Sequence, residues 1–129
     1  MEYWVFPTNV KHFDIVNHFK NHSTVIWKYY ANVRLNDVVY IYVGNPYKTI
    51  LYKCIVTKIN IDTDTVEKNK YAITKNATDK TKYLEMKLDK TFDKDTMPCF
   101  NILKNNGLGQ VQKQARASRA FLFFIKQFE

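Results

Sequence analysis

The chain has 129 residues, nearly half of them hydrophobic, with nine Tyr, nine Phe and two Trp against only three Gly and three Pro. That composition excludes a disordered segment and leaves enough apolar side chains to bury a core without disulfides or metal. Twenty Lys and Arg against twelve Asp and Glu leave a formal charge of +8, a balance that favours polyanions such as nucleic acid or an anionic surface. No apolar run approaches the roughly 20 residues of a membrane span, and no secretory leader opens the chain. One cytoplasmic domain over 1–129 is therefore expected, with no membrane partner, no cofactor, and Cys54 and Cys99 as reduced thiols.

Aromatic and branched residues predict a first strand over Tyr3–Phe6, ended by Pro7. From Val10 to His22 the apolar spacing becomes helical, with Phe13, Val16 and Phe19 on one side and Asn9 placed to cap the start. A second strand follows at Thr24–Tyr30, then a turn over Asn32–Asp37. Val38–Val43 is apolar throughout, as in a strand covered on both faces. Gly44-Asn45-Pro46 makes a turn into a long strand, Thr49–Ile61, whose length suggests a bend around a barrel corner. In that strand Tyr52, Cys54 and Val56 alternate with Leu51, Ile55 and Ile59. Tyr71–Ile73 is a short edge strand between polar loops, and Tyr83–Leu88 alternates with Leu84, Met86 and Leu88 inward. Cys99–Asn105 is a helix stopped by Gly107, and Gln110–Gln127 is the last helix.

The order of elements in the first half carries more than local structure. A strand ends at Pro7-Thr8-Asn9, a charged helix precedes a strand bearing Trp27, and Asp37-Val38-Val39-Tyr40 opens the next strand. This resembles the EVE and YTH branch of the PUA-like superfamily, in which Gly stands at the place of Asn36. The resemblance implies an α+β fold, a curled mixed sheet or barrel with flanking helices. It also implies a mouth that accepts a base swung out of a nucleic acid, often a modified one. On that basis Trp27 is one wall of a base pocket, since stacking on an aromatic side chain contributes roughly 1–3 kcal/mol per base. Packing in the core is the other reading of Trp27. Thr8 and Asn9 lie at the mouth, where an amide can read a base edge, although Asn9 is equally suited to cap a helix. Tyr29, Tyr42 and Tyr47 are candidates for the second wall, with Tyr47 as a lid.

Lys113, Arg116 and Arg119 fall three apart and so share one face of the expected last helix, suited to phosphate or simply to solvent. Gln110 precedes them in a turn where backbone N–H groups can meet an anion. His18 and His22 stand four apart, but no carboxylate or Cys completes a metal set, so no metal site is expected. Catalytic signatures are lacking. Asp62, Asp64 and Glu67, with Lys58 and Lys68 nearby, form a carboxylate cluster that suits a solvated loop better than a nuclease centre.

The expectation is a non-catalytic module that binds DNA or RNA through an unpaired or flipped base, a modified base being the favoured case. An effector nuclease or ATPase chain is the partner that the resemblance implies. Two alternatives stand beside it. One is a structural or protein-interaction domain that keeps the barrel without the pocket; the other is a component of a nucleic-acid-processing enzyme.

Overall fold

A computed structural model describes residues 1–61 and 82–129. The expected strand at Tyr71–Ile73 lies outside those residues. Among the described residues six strands form one sheet: β1 (Tyr3–Thr8), β2 (Thr24–Tyr29), β3 (Val38–Val43), β4 (Thr49–Ile61), β5 (Lys82–Thr91) and β6 (Ala115–Arg116). Their order is β2-β5-β4-β3-β1-β6, with β1 and β3 parallel and the other pairs antiparallel. Helix α1 (Ile15–Asn21) connects β1 to β2, whereas α2 (Phe100–Asn105) and α3 (Arg119–Ile125) follow β5.

Alternation along the strands sends apolar side chains to both faces. Trp4, Phe6, Trp27, Val39, Ile41, Cys54, Leu84 and Met86 pack with α1 on one face. Val5, Tyr40, Tyr42 and Ile50 pack with Leu103, Phe121 and Ile125 of α2 and α3 on the other. Burial on both sides explains why β3 is apolar at every position.

The long β4 bends as its length suggests, through register shifts against β5 at Lys53/Cys54 and again beyond Val56. Its pairing with β3 corrects the expected alternation. Ile41 pairs with Tyr52 and Tyr42 with Ile50, so Leu51 is an extra residue bulged toward the α1 side. Leu51 and Tyr52 therefore share a face.

Two helix boundaries also differ from expectation. The first helix starts at Ile15, because Asp14 Oδ1 accepts from Asn17 N and serves as its N-cap. Asn9 instead closes a turn: its Oδ1 accepts from Lys11 N, and its carbonyl accepts from His12 N and Phe13 N. At the other end, the helix expected over Gln110–Gln127 begins only at Arg119, where Ser118 Oγ caps Phe121 N. The residues before it are used otherwise. Ala115 and Arg116 pair with Val5 and Trp4, which covers the exposed edge of β1.

Gly107 ends α2 as its position in the sequence suggests. Leu108 N donates to Leu103 O and Gly107 N to Lys104 O, the paired bonds of a Schellman cap. Its φ of +104° is left-handed, and an added Cβ would lie 2.5 Å from Phe121 N. Gly107→Ala is therefore expected to cost about 2–4 kcal/mol in urea unfolding, from backbone strain plus the clash. Gly109→Ala, whose Cβ meets nothing within 4 Å, is the near-neutral control.

Candidate nucleic-acid interface

Trp27 is only 8% exposed. Phe13 meets it edge-on with ring centroids 5.6 Å apart, and Phe6 lies tilted at 6.5 Å. Phe6 belongs to β1 and Trp27 to β2, on strands far apart in the sheet order, so this contact spans the inside of the curl. Phe13 reaches it from the turn that Asn9 closes. Trp27 thus has a core position, walled by two aromatic rings, one of which sits on a short irregular segment.

The C-terminal ends of the parallel pair β1 and β3 bring Thr8 and Asn9 close to Tyr47. Gly44 N donates to Thr8 O, and Tyr47 N donates back to Gly44 O, both at 2.9 Å. Tyr47 is half-buried against the α1-side cluster, with Lys94 Nζ 5.9 Å from its ring centre. Asn9 is exposed; its oxygen is engaged by Lys11 N, which leaves the amide nitrogen to donate.

Tyr29 and Tyr42 are not brought to this mouth. Tyr29 lies at the opposite end of the sheet, where its hydroxyl donates to Asn60 Oδ1 and accepts from Asn60 N. Tyr42 points to the other face and packs edge-on to Phe100. Alternation already separates Tyr42 from Ile41, but it cannot tell which face holds Trp27.

Lys113, Arg116 and Arg119 do not share a helix face, because no helix contains all three. Lys113 is in the segment leading to β6, Arg116 is in β6, and Arg119 opens α3. Gln110 and Arg116 border a cavity of about 100 Å³ whose other walls include Val5, Leu108 and Phe121. Those walls are chiefly apolar, unlike a phosphate cradle. Arg116 stacks its guanidinium 5.4 Å from the centre of the Trp4 ring.

Beneath that stack is a residue to which the sequence pattern assigns no role. Asp37 is 2% exposed. Its Oδ1 accepts from Glu2 N, and its Oδ2 accepts from both Trp4 Nε1 and Arg34 N. Burial would raise its pKa, but the bonds from Glu2 N, Arg34 N and Trp4 Nε1 outweigh it and hold the carboxyl below its ordinary value. Asn36, just before it, has φ +68°, a left-handed conformation that Asn tolerates and Gly adopts freely. That is why Asn can stand where the resembling pattern has Gly.

Gln114 was equally illegible in the sequence. Its Nε2 donates to Lys28 O at 2.7 Å and its Oε1 accepts from Tyr30 N at 3.0 Å. One side chain thereby meets the outer edge of β2 as a neighbouring strand would, and ties β2 to the segment before β6. Gln114 is thus a side-chain link across the gap that the open strand order leaves.

Among the described residues no three His, Cys, Asp or Glu side chains gather as a metal site. His18 Nε2 donates to Thr24 O, and the His18 and His22 rings stack with centroids 4.6 Å apart. Burial pushes the Cys54 thiol well above its ordinary pKa, and Cys54 and Cys99 are both unbridged. The carboxylates Asp62, Asp64 and Glu67, and Lys68 beside them, fall outside the described residues. No described helix is long and apolar enough to cross a membrane.

A six-stranded curled mixed sheet, with α1 on one face and α2 and α3 on the other, is the PUA-like fold in its EVE and ASCH form. The chain is similar over 98% of its length to the human THYN1 protein in complex with 5-methylcytosine-containing DNA, covering 96% of that chain with a TM-score of 0.69 at 12% identity. It is similar in the same way to ASCH from Zymomonas mobilis (TM-score 0.69, 11% identity, 98% of this chain and 94% of that one). A hypothetical protein from Leishmania major matches with TM-score 0.66 and 18% identity, over 98% and 93% of the two chains. Identities this low carry the fold alone. No family model and no curated protein matches the sequence.

Proposed function

We propose that the chain is a non-catalytic nucleic-acid-binding domain that receives an unpaired or flipped base, a modified one by preference, against Trp27. The observation that supports this most is the aromatic box inside the curl: Trp27 is faced by Phe6 from a regular strand and by Phe13 from the turn that Asn9 closes. A base enters by displacing Phe13 and stacks where that ring lay. Thr8 and Asn9 then read its edge, and Tyr47 covers the mouth. A methyl group on the base adds about 0.8 kcal/mol by leaving water. Flipping itself costs a few kcal/mol, so an already unpaired base is the easier ligand. The DNA in the human THYN1 complex contains 5-methylcytosine, which makes that base the first to test.

Binding to single- and double-stranded oligonucleotides with cytosine or 5-methylcytosine, at stated salt, tests this directly. Preference for a modified, unpaired strand supports it; equal affinity for all four probes removes the pocket. Replacing Lys113 and Arg116 with Ala should weaken every probe alike and flatten the salt dependence of duplex binding by about 0.9 for each phosphate no longer neutralised. Unchanged affinity would make both side chains merely solvated.

The second reading is a structural or protein-interaction domain, and the near-complete burial of Trp27 favours it. Under it, Phe13 never leaves Trp27 and no oligonucleotide competes for the box.

A further inference from the structure

The link that Gln114 makes also carries a feature outside the Trp27 box. Tyr30 is 77% exposed, the ring of an aromatic side chain standing in solvent. Its position is nevertheless fixed, because Gln114 Oε1 accepts from its backbone N–H and Gln114 Nε2 donates to the carbonyl two residues before it. Lys28 places its ammonium 5.2 Å from the Tyr30 ring centre. Lys113 adjoins Gln114 in the chain, and Arg116 follows over Trp4. Arg34 is drawn to the same corner, since its backbone N–H and the Trp4 indole share Asp37 Oδ2. Lys28, Arg34, Lys113 and Arg116 make no ion pair among the described residues.

We propose that this strip binds a single nucleic-acid strand without regard to sequence, Tyr30 stacking one base while Lys28, Lys113, Arg116 and Arg34 hold the phosphates on either side. An exposed aromatic ring on a pinned stretch of backbone, among cations that make no ion pair, is the combination single strands require: a flat surface for any base and positive charge for the backbone. Net charge of +8 supplies the complementary field. The strip rests on the nucleic-acid reading and extends it to a second surface, at the end of the sheet where Tyr29 meets Asn60 and away from the Thr8–Tyr47 mouth.

The test is anisotropy titration of fluorescent dodecamers of plain dT and plain U, between about 50 and 200 mM salt. Tyr30→Ala should weaken binding about 5- to 150-fold while leaving thermal melting unchanged, because the ring is exposed. Tyr30→Phe should restore most of that affinity, since the ring and not the hydroxyl makes the contact. Lys28→Gln with Lys113→Gln should flatten the slope of log K against log salt by about 0.7 for each phosphate no longer neutralised. Weaker binding of Tyr30→Ala to either dodecamer supports the strip, and the tighter-binding dodecamer identifies its natural strand. Tyr30→Ala binding as tightly as wild type, or Tyr30→Phe binding as weakly as Tyr30→Ala, overturns it. If wild type prefers 5-methylcytosine while Tyr30→Ala changes nothing, only the strip falls. If wild type binds neither dodecamer nor any modified oligonucleotide, the nucleic-acid reading falls with it.

Discussion

Trp27→Ala should lower stability by roughly 3–5 kcal/mol, a fall of about 10–25 °C in Tm for a chain of this size. The indole lies between Phe6 and Phe13, joining one side of the sheet to the other, and its removal leaves a cavity that neither ring can fill without leaving its own neighbours. The same change should abolish any preference between modified and plain oligonucleotides. Weak, strongly salt-dependent binding should survive, because the basic side chains lie elsewhere. Trp27→Phe separates the two effects, since it keeps a ring in the core while reducing the stacking surface. A Trp27→Phe variant that melts near wild type yet keeps undiminished selectivity would falsify the pocket role. Abolished selectivity at nearly normal stability would establish it.

Asp37→Ala is expected to match that loss of stability, about 3–5 kcal/mol, because three buried or half-buried donors converge on one carboxylate. Asp37→Asn should cost less, roughly 1.5–3 kcal/mol: the amide keeps one oxygen but turns an NH2 toward at least one N–H donor. The effect is pH-dependent in a defined direction. The folded carboxyl has its pKa below the unfolded value, so its contribution is present above the ordinary Asp range, near about 3.9, and is lost as pH falls through the lower folded value. Urea midpoints measured from neutral to strongly acid pH should therefore fall more steeply for wild type than for Asp37→Asn. Parallel curves would show that Asp37 is not held as an anion. Because Asp37 also sets the Trp4 indole beneath Arg116, both variants should disturb the basic corner as well as the fold.

Much of the architecture was legible because it depends on local patterning. β3 and β4 have the bounds read from the sequence, Val38–Val43 and Thr49–Ile61, since apolar runs between turn signals leave little choice. The resemblance that implied the PUA-like arrangement rested on the order Pro7-Thr8-Asn9, Trp27 and Asp37-Val38-Val39-Tyr40. The errors share a cause. Residues 110–118 carry helix-forming Gln, Lys and Ala, yet the uncovered edge of β1 takes Ala115 and Arg116 as a strand, and Ser118 starts the helix later. Local preferences of a few tenths of a kcal/mol per residue yield to a strand edge that needs partners. Asn9 likewise closes a turn instead of capping the helix, and Asp14, five residues on, takes the cap by accepting from Asn17 N.

Local residues sufficed for the two-sided burial of β3, the helix stop at Gly107 and the basic surplus, because alternation, turn residues and charge are properties of short stretches; the curled mixed sheet came with the resemblance. Long-range packing alone boxes Trp27 between Phe6 and Phe13, turns Tyr42 to the other face, carries the Tyr29 hydroxyl to Asn60 and seats Arg116 over Trp4. It alone revealed Asp37 as a three-donor anchor and Gln114 as the clasp between β2 and the β6 segment. Apart from the one from Arg34 N, those hydrogen bonds join residues 33 to 86 positions apart, and no local pattern records which distant edge a polar side chain will meet when the sheet curls.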